Sequence, residues 1–246
     1  MKLQLPQVTL VNATNLAYKL PSMMAMDRCR EQCDFGRTIQ FNLGQGSIAD
    51  YNHFIMKEMA RTIETAHLLI CQWDGFIVDT TCWDAEFLKY DYIGACWPLS
   101  WPHIPPTMQV GNGGFSLRSK RLMDIISHHF EVLPELGEDE QICRTYRREL
   151  ELNYGIKYAP PELARRFSYE YEVPAIPSFG FHGLHNAWRH VTDKDLETIV
   201  FDLPRGATKH IRYKQLAATY WNQQRWVPYT SMFVKHEAET PETTDA

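Results

Sequence analysis

Apolar and polar positions along the chain switch repeatedly between a period of two and a period near 3.6. Residues 8–11 (VTLV) are a β-branched run behind Pro6 and predict a first strand. Residues 12–15 form a polar turn able to cap a helix through Thr14 or Asn15. Residues 16–33 read as helix, with Pro21-Ser22 either breaking it or opening a second one. Residues 38–43 (TIQFNL) alternate as a second strand, and Phe54, Ile55, Met59 and Ile63 recur at helical spacing within residues 48–64. Leu68, Leu69 and Ile70 then form a short buried strand. Strand, helix, strand, helix, strand predicts an α/β fold with a mainly parallel central sheet flanked by helices.

Beyond this, residues 84–92 predict a short amphipathic helix and residues 92–95 a strand. Residues 97–106 hold four of the fourteen prolines and two tryptophans, an irregular loop that reads as a packed lid or a binding wall. Residues 110–117 (VGNGGFSL) are a glycine-rich loop, residues 119–130 a helix, and residues 141–152 a charged helix whose Arg144, Arg147 and Arg148 read first as a solvated face. Residues 178–185 (SFGFHGLH) predict a short strand and turn, with helices around 195–201 and 213–221. The expected organisation is an α/β domain over residues 1–190, a helical extension over 191–235 and a disordered tail over 236–246.

Composition narrows the classes. The chain has 246 residues, 44% hydrophobic and 22% charged, enough for one large core. A net charge of −5 argues against a general nucleic-acid binder. No apolar run is long enough for a transmembrane helix, and the first residues do not read as a signal peptide. None of the six cysteines sits in a CxxC pair, so they read as reduced and mostly buried, which suits a cytoplasmic protein. Arg205, Lys209, Arg212 and Lys214, with Trp221 and Trp226, read as a solvated face or a peripheral membrane or partner patch.

The chemistry starts at LLICQWDGF. A strand running into Asp74-Gly75 delivers a carboxylate to the carboxyl edge of the sheet, where ligands bind in open α/β sheets. Three further patches come later in the chain: Gly111-Asn112-Gly113-Gly114, Glu138-Asp139, and His182. Each alone has an ordinary explanation: a turn cap, a tight loop in which glycine accepts positive φ, acids suited to a helix N-terminus, and a packed core histidine.

In this order and spacing, the four patches resemble the GT-A class of glycosyltransferases, which move a sugar from a nucleotide diphosphate to an acceptor. Gln72-Trp73-Asp74 stands at that class's Asp-x-Asp motif, Gly111 to Gly114 at its glycine loop, Gly137-Glu138-Asp139 at its x-Glu-Asp motif, and His182 at its late histidine. The stretches LPQVTLV, CQWDGFIVD, FLKYDYIGA, VGNGGFSLRSKRLM, EDEQICRTYR and SFGFHG resemble more closely an uncharacterised glycosyltransferase-like family of bacteria, viruses and fungi, often encoded near surface-polysaccharide genes. That likeness spans roughly residues 5–183.

The resemblance implies a GT-A-like (Rossmann-like) fold, a nucleotide-sugar donor with UDP the commonest nucleotide, a glycan or other hydroxyl acceptor, and a place in surface polysaccharide or glycoconjugate synthesis; transfer inverts if Asp139 faces the sugar from the side opposite the leaving group. The chemistry is coherent with it. A departing diphosphate builds up negative charge that must be neutralised, and Asp74 with His182 can hold Mn²⁺ or Mg²⁺ for that purpose. Asp139 is the expected base for the acceptor hydroxyl, with Glu138 orienting it or the acceptor. Thr9, Val11, Asn12, Gln72, Trp73, Gly113, Gly114 and Arg118 are expected around the donor, and Trp97 and Trp101 against an acceptor sugar. Gln72 departs from the pattern: an amide in place of the first acid weakens a metal site and leaves Arg118, Lys120 or Arg121 as alternative neutralisers. Two other readings stay open, a non-catalytic nucleotide- or glycan-binding module and a nucleotidyltransferase. The second lacks the basic glycine-rich first turn it would need, since residues 12–15 contain no glycine, lysine or arginine.

Overall fold

The apolar runs assemble into a five-stranded sheet in a computed structural model of the chain, which describes residues 1–172, 174–204, 209, 211–225, 232 and 235. Its strands are β1 (Leu3–Thr14), β2 (Cys33–Asn42), β3 (His67–Cys71), β4 (Tyr92–Gly94) and β5 (Phe115–Ser119), in the order β2-β1-β3-β5-β4. β1 pairs in parallel with β2 and β3, whereas β5 lies antiparallel between β3 and β4. Four strands therefore share one direction and β5 opposes them. The helices α1 (Lys19–Gln32), α2 (Ile48–His53) and α3 (Lys120–His129) flank the sheet in sequence. Val8, Leu10, Leu68, Leu69 and Leu117 are inaccessible to solvent, because both faces of the central strands are covered.

Several elements differ in extent from the sequence reading, and the reasons are physical. β1 is eight residues longer than VTLV because Pro6 is accommodated at a register irregularity between Leu5 and Thr9. Gly36 lies opposite, where a Cβ would strike the Pro6 carbonyl. α2 continues through a wide turn at Phe54–Glu58 and a 3-10 turn at Met59–Thr62. The helix expected over residues 84–92 is a 3-10 turn, Ala85–Lys89, with Asp84 accepting the Glu86 N–H as its cap. β5 begins inside the run read as a glycine loop, and all five of its residues are buried.

The remaining elements are α4 (Glu138–Glu140), α5 (Arg147–Tyr154), α6 (Pro161–Phe167) and a parallel two-stranded ribbon of β6 (Ser168–Tyr169) and β7 (Gly180–Phe181). Arg147 is not on a solvated face: it is 7% exposed, stacks 4.1 Å over the Tyr158 ring and pairs with Glu151.

The chain divides into two compact units, Met1–His182 and Gly183–Ala246. The second contains α7 (Leu184–Ala187), α8 (Asp193–Asp202), whose Thr192 cap accepts the Asp195 N–H, and α9 (Ile211–Asn222). Arg225 stacks over Trp188 and Tyr220 there. Lys209, Lys214 and Trp221 are exposed. Arg205, Trp226, the Arg212 side chain and the tail over 236–246 lie outside the described residues.

Candidate functional site

At the carboxyl ends of β1, β2 and β3 the chain leaves a cavity of about 320 Å³, within the range that holds a small ligand. Tyr18 and Trp73 form one wall, stacked with centroids 5.1 Å apart and planes 27° from parallel. Thr14, Asn15, Ser47, Tyr51 and Gln72 supply polar groups. Because β1 runs on to Thr14, the expected donor contacts Thr9, Val11 and Asn12 fall inside the sheet, all inaccessible to solvent. Thr9 shares a hydrogen bond with Thr65, and Asn12 donates to the Cys71 carbonyl. The strand's end, with Thr14 and Asn15, takes the position expected for them.

Gln72 is the hinge between this cavity and the acids beyond it. Its N–H donates to the Gly114 carbonyl at 2.8 Å and its side-chain amide to the Tyr51 hydroxyl at 2.9 Å. The residue that departs from an acidic motif is thus occupied in joining β3 to α2 and the glycine loop. Asp74 stands two residues further on. Tyr18 is close enough that its hydroxyl pKa is raised by burial and then by the Asp74 charge.

Asp74 and His182 meet, with Oδ1 and Nε2 3.1 Å apart. The opposite ring nitrogen, Nδ1, lies 3.3 Å from Glu170 Oε2. All three side chains are 5% exposed or less. β7 delivers His182 and β6 delivers Glu170, and the ribbon is tied off by the His182 N–H donating to the Tyr169 carbonyl. Burial would depress the imidazolium, but the Asp74 and Glu170 charges and hydrogen bonds outweigh it and push the pKa up to about 9. One imidazole thus stands between two carboxylates.

One carboxylate and one imidazole make a mixed oxygen and nitrogen donor pair, with Asp74 Oδ1 and His182 Nε2 3.1 Å apart, which could hold a divalent ion such as Mn²⁺. Among the described residues no group of three or more His, Cys, Asp and Glu side chains is arranged to hold a metal, so a metal held here would need further ligands from phosphate and water.

A second cluster lies on the other side of the glycine loop. Arg118 and Glu138 form a bidentate pair at 2.6 and 2.8 Å, 0% and 3% exposed. Burial works against the guanidinium, but the Glu138 carboxylate more than restores it and holds the Arg118 pKa well above its usual value. This corrects two expectations. Arg118 is not open to a phosphate and Glu138 is not open to an acceptor, because each satisfies the other inside the core. Asp139 is half-exposed, with Oδ2 accepting the Gly113 N–H at 2.8 Å and Oδ1 accepting the Glu140 N–H.

The glycine loop works differently from its simplest reading. Its left-handed residue is Asn112, at φ 57°, and none of Gly111, Gly113 and Gly114 needs positive φ. The glycines are required by close approach. A Cβ on Gly111 would meet the Trp97 ring, one on Gly113 the Glu138 carboxylate, and one on Gly114 the His182 imidazole. Gly113 and Gly114 thus make room for protein side chains. Trp97, 5% exposed beneath Gly111, is core and not an acceptor wall. Trp101 is half-buried, edge-on to Tyr171 at 4.7 Å and stacked on His103, nearer the surface.

A family model described as "Protein of unknown function (DUF5672)" matches residues 37–182, more than half of the chain and every side chain of both charged clusters. The chain belongs to the DUF5672 family. Among curated proteins none matches it. Solved structures similar to this DUF5672 member include a glycosyltransferase involved in glycosylation of the major capsid of PBCV-1 (13% identity, 71% of this chain, 92% of that one, TM-score 0.46). A197 from STIV is similar over 65% of this chain and 83% of that one (12% identity, TM-score 0.40). The galactosyltransferase LgtC, solved with donor and acceptor sugar analogues, is similar over 79% of this chain and 96% of that one (10% identity, TM-score 0.41).

Proposed function

We propose that this DUF5672 protein is a glycosyltransferase that takes a sugar from a nucleotide diphosphate, with UDP the expected nucleotide, and delivers it to a hydroxyl acceptor with inversion. The observation that carries the reading is that the glycine loop links Asp74 and His182 to Asp139, from four distant parts of the sequence, while Gln72 and Trp73, just before Asp74, line the aromatic-walled cavity. Gly114 abuts His182 while its neighbour Gly113 binds Asp139, so the loop joins the two clusters through adjacent residues.

The nucleoside would lie in the cavity, its base against the Tyr18–Trp73 wall. The diphosphate would then reach the rim at Asp74. Asp74 and His182 would hold Mn²⁺ or Mg²⁺, which when bound supplies Lewis-acid stabilisation of the leaving diphosphate. Asp139, the half-exposed acid of its cluster, takes the acceptor proton as the new glycosidic bond forms and the bond from the sugar to the diphosphate breaks. The Gly113 N–H fixes its carboxylate, and the Arg118–Glu138 pair anchors the start of α4 behind it. The acceptor would approach on the side where Trp101 meets Tyr171. We place this chemistry in the cytoplasm, in surface-polysaccharide or glycoconjugate synthesis. Among the described residues no helix is long and apolar enough to cross a membrane.

A second reading, a nucleotide- or glycan-binding module without turnover, is favoured by the commitment of Gln72 to Tyr51 and of Glu138 to Arg118. One assay separates the two. The protein is incubated with Mn²⁺ and a panel of nucleotide sugars, and free nucleoside diphosphate is followed with and without candidate sugar acceptors. Acceptor-stimulated release supports transfer, whereas donor binding without release supports the module.

A further inference from the structure

We infer that Glu170 is a positioning residue, which fixes His182 as a metal ligand through the ring nitrogen that does not face Asp74. The inference rests on the metal-assisted reading above and deepens it. Glu170 lies in none of the sequence motifs. It directly follows the two-residue strand β6, and the β6–β7 pairing alone brings it to His182. Its carboxylate oxygen Oε2 stands 3.3 Å from His182 Nδ1 and accepts the Asn112 amide. The Glu170 side chain has no solvent exposure.

An imidazole binds a cation only through an unprotonated nitrogen, so its other nitrogen must carry the proton. A carboxylate at Nδ1 holds that proton there, leaves Nε2 on the Asp74 side as the nitrogen that would give up its proton to a bound cation, and raises the basicity of the ring. Glu170 occupies that position. Asn112 completes the support. Its left-handed backbone lies in the glycine loop, and its side-chain amide donates to the same Glu170 oxygen that faces the imidazole. The loop therefore touches His182 twice, through Gly114 packed on the ring and through Asn112 by way of Glu170.

The test is a Mn²⁺ titration of the full chain, read from the electron paramagnetic resonance signal of free Mn²⁺, with uridine diphosphate present as the probe nucleotide. Glu170→Ala is expected to weaken Mn²⁺ binding about 10–100-fold. Glu170→Gln keeps shape and an acceptor oxygen and is expected to lose less. Nucleotide affinity without metal should stay at the wild-type value in the Gln variant, while its metal-free melting temperature falls only by the share of the His182 stabilisation that the Glu170 charge supplies. A residue that only props up the fold would instead lower the melting temperature and spare the affinity ratio. Both variants titrating like wild type overturns the role of Glu170 alone. Wild type taking up no Mn²⁺ beside the nucleotide overturns the metal-assisted reading and this inference with it. Should the Ala variant fail to fold, ¹⁵N spectra of wild-type histidine with Mg²⁺ and uridine diphosphate decide: a proton on His182 Nδ1 is the expected result, and a proton on Nε2 overturns it.

Discussion

Two buried charged clusters flank the glycine loop, and they are built differently. Arg118 and Glu138 form a balanced bidentate pair, and the same guanidinium also donates to Ser116 Oγ and the Gly113 carbonyl. In the other cluster one imidazole stands between two acids, Asp74 toward Nε2 and Glu170 toward Nδ1. The balanced pair spends its hydrogen bonds on holding the loop to the start of α4. The second cluster gathers the oxygen and nitrogen donors that a divalent cation takes. The proposed base stands against the first cluster, and the proposed metal ligands belong to the second.

Breaking the balanced cluster should have the largest effect. Arg118→Met leaves Glu138 buried without its partner and is expected to cost about 3–5 kcal/mol of stability. Denaturant unfolding measures it. The double variant Arg118→Met with Glu138→Leu should recover most of the loss, because it removes both charges. Asp139→Asn is next, with turnover expected to fall about 10²–10⁴-fold. Its amide oxygen can still accept the Gly113 N–H, so melting should change little. Unaltered turnover would remove Asp139 as the base.

Gly114→Ala drives a methyl into the His182 ring and is expected to cost about 1–3 kcal/mol, together with a loss of Mn²⁺ affinity. Gly111→Ala, which strikes Trp97 instead, should show a comparable stability cost with Mn²⁺ affinity retained. The most gradual effect concerns pH. The folded-state pKa of His182 is raised to about 9 from an ordinary 6.5. Its contribution to the metal-free protein is therefore complete below pH 6.5 and disappears as pH climbs through 9. The slope is at most about 1.4 kcal/mol per pH unit. The metal-free melting temperature should decline across that window, and His182→Gln should flatten the decline.

Much of this was legible from residue order. A short apolar run ending in Asp-Gly has few structural meanings, so Asp74 at a strand's carboxyl edge followed from periodicity and sheet topology. The acids at the start of α4 and the glycine run were visible for similar local reasons. Glu170 was invisible. It belongs to no motif, its strand is two residues long, and its partners are 12 and 58 residues away. The burial of Arg118 was hidden too, because β5 reads as loop and its carboxylate partner lies 20 positions on.

By itself, then, the amino-acid order determined the α/β architecture, the edge of the sheet carrying the polar groups, and the identity of most acids and imidazoles there. Those come from local rules of period, capping and turn chemistry. Tertiary structure alone decided which acid faces which base, which glycines are needed for close approach, and which acids flank His182. Pairing energies depend on distance through space, and burial multiplies them, so they cannot be read from neighbours along the chain.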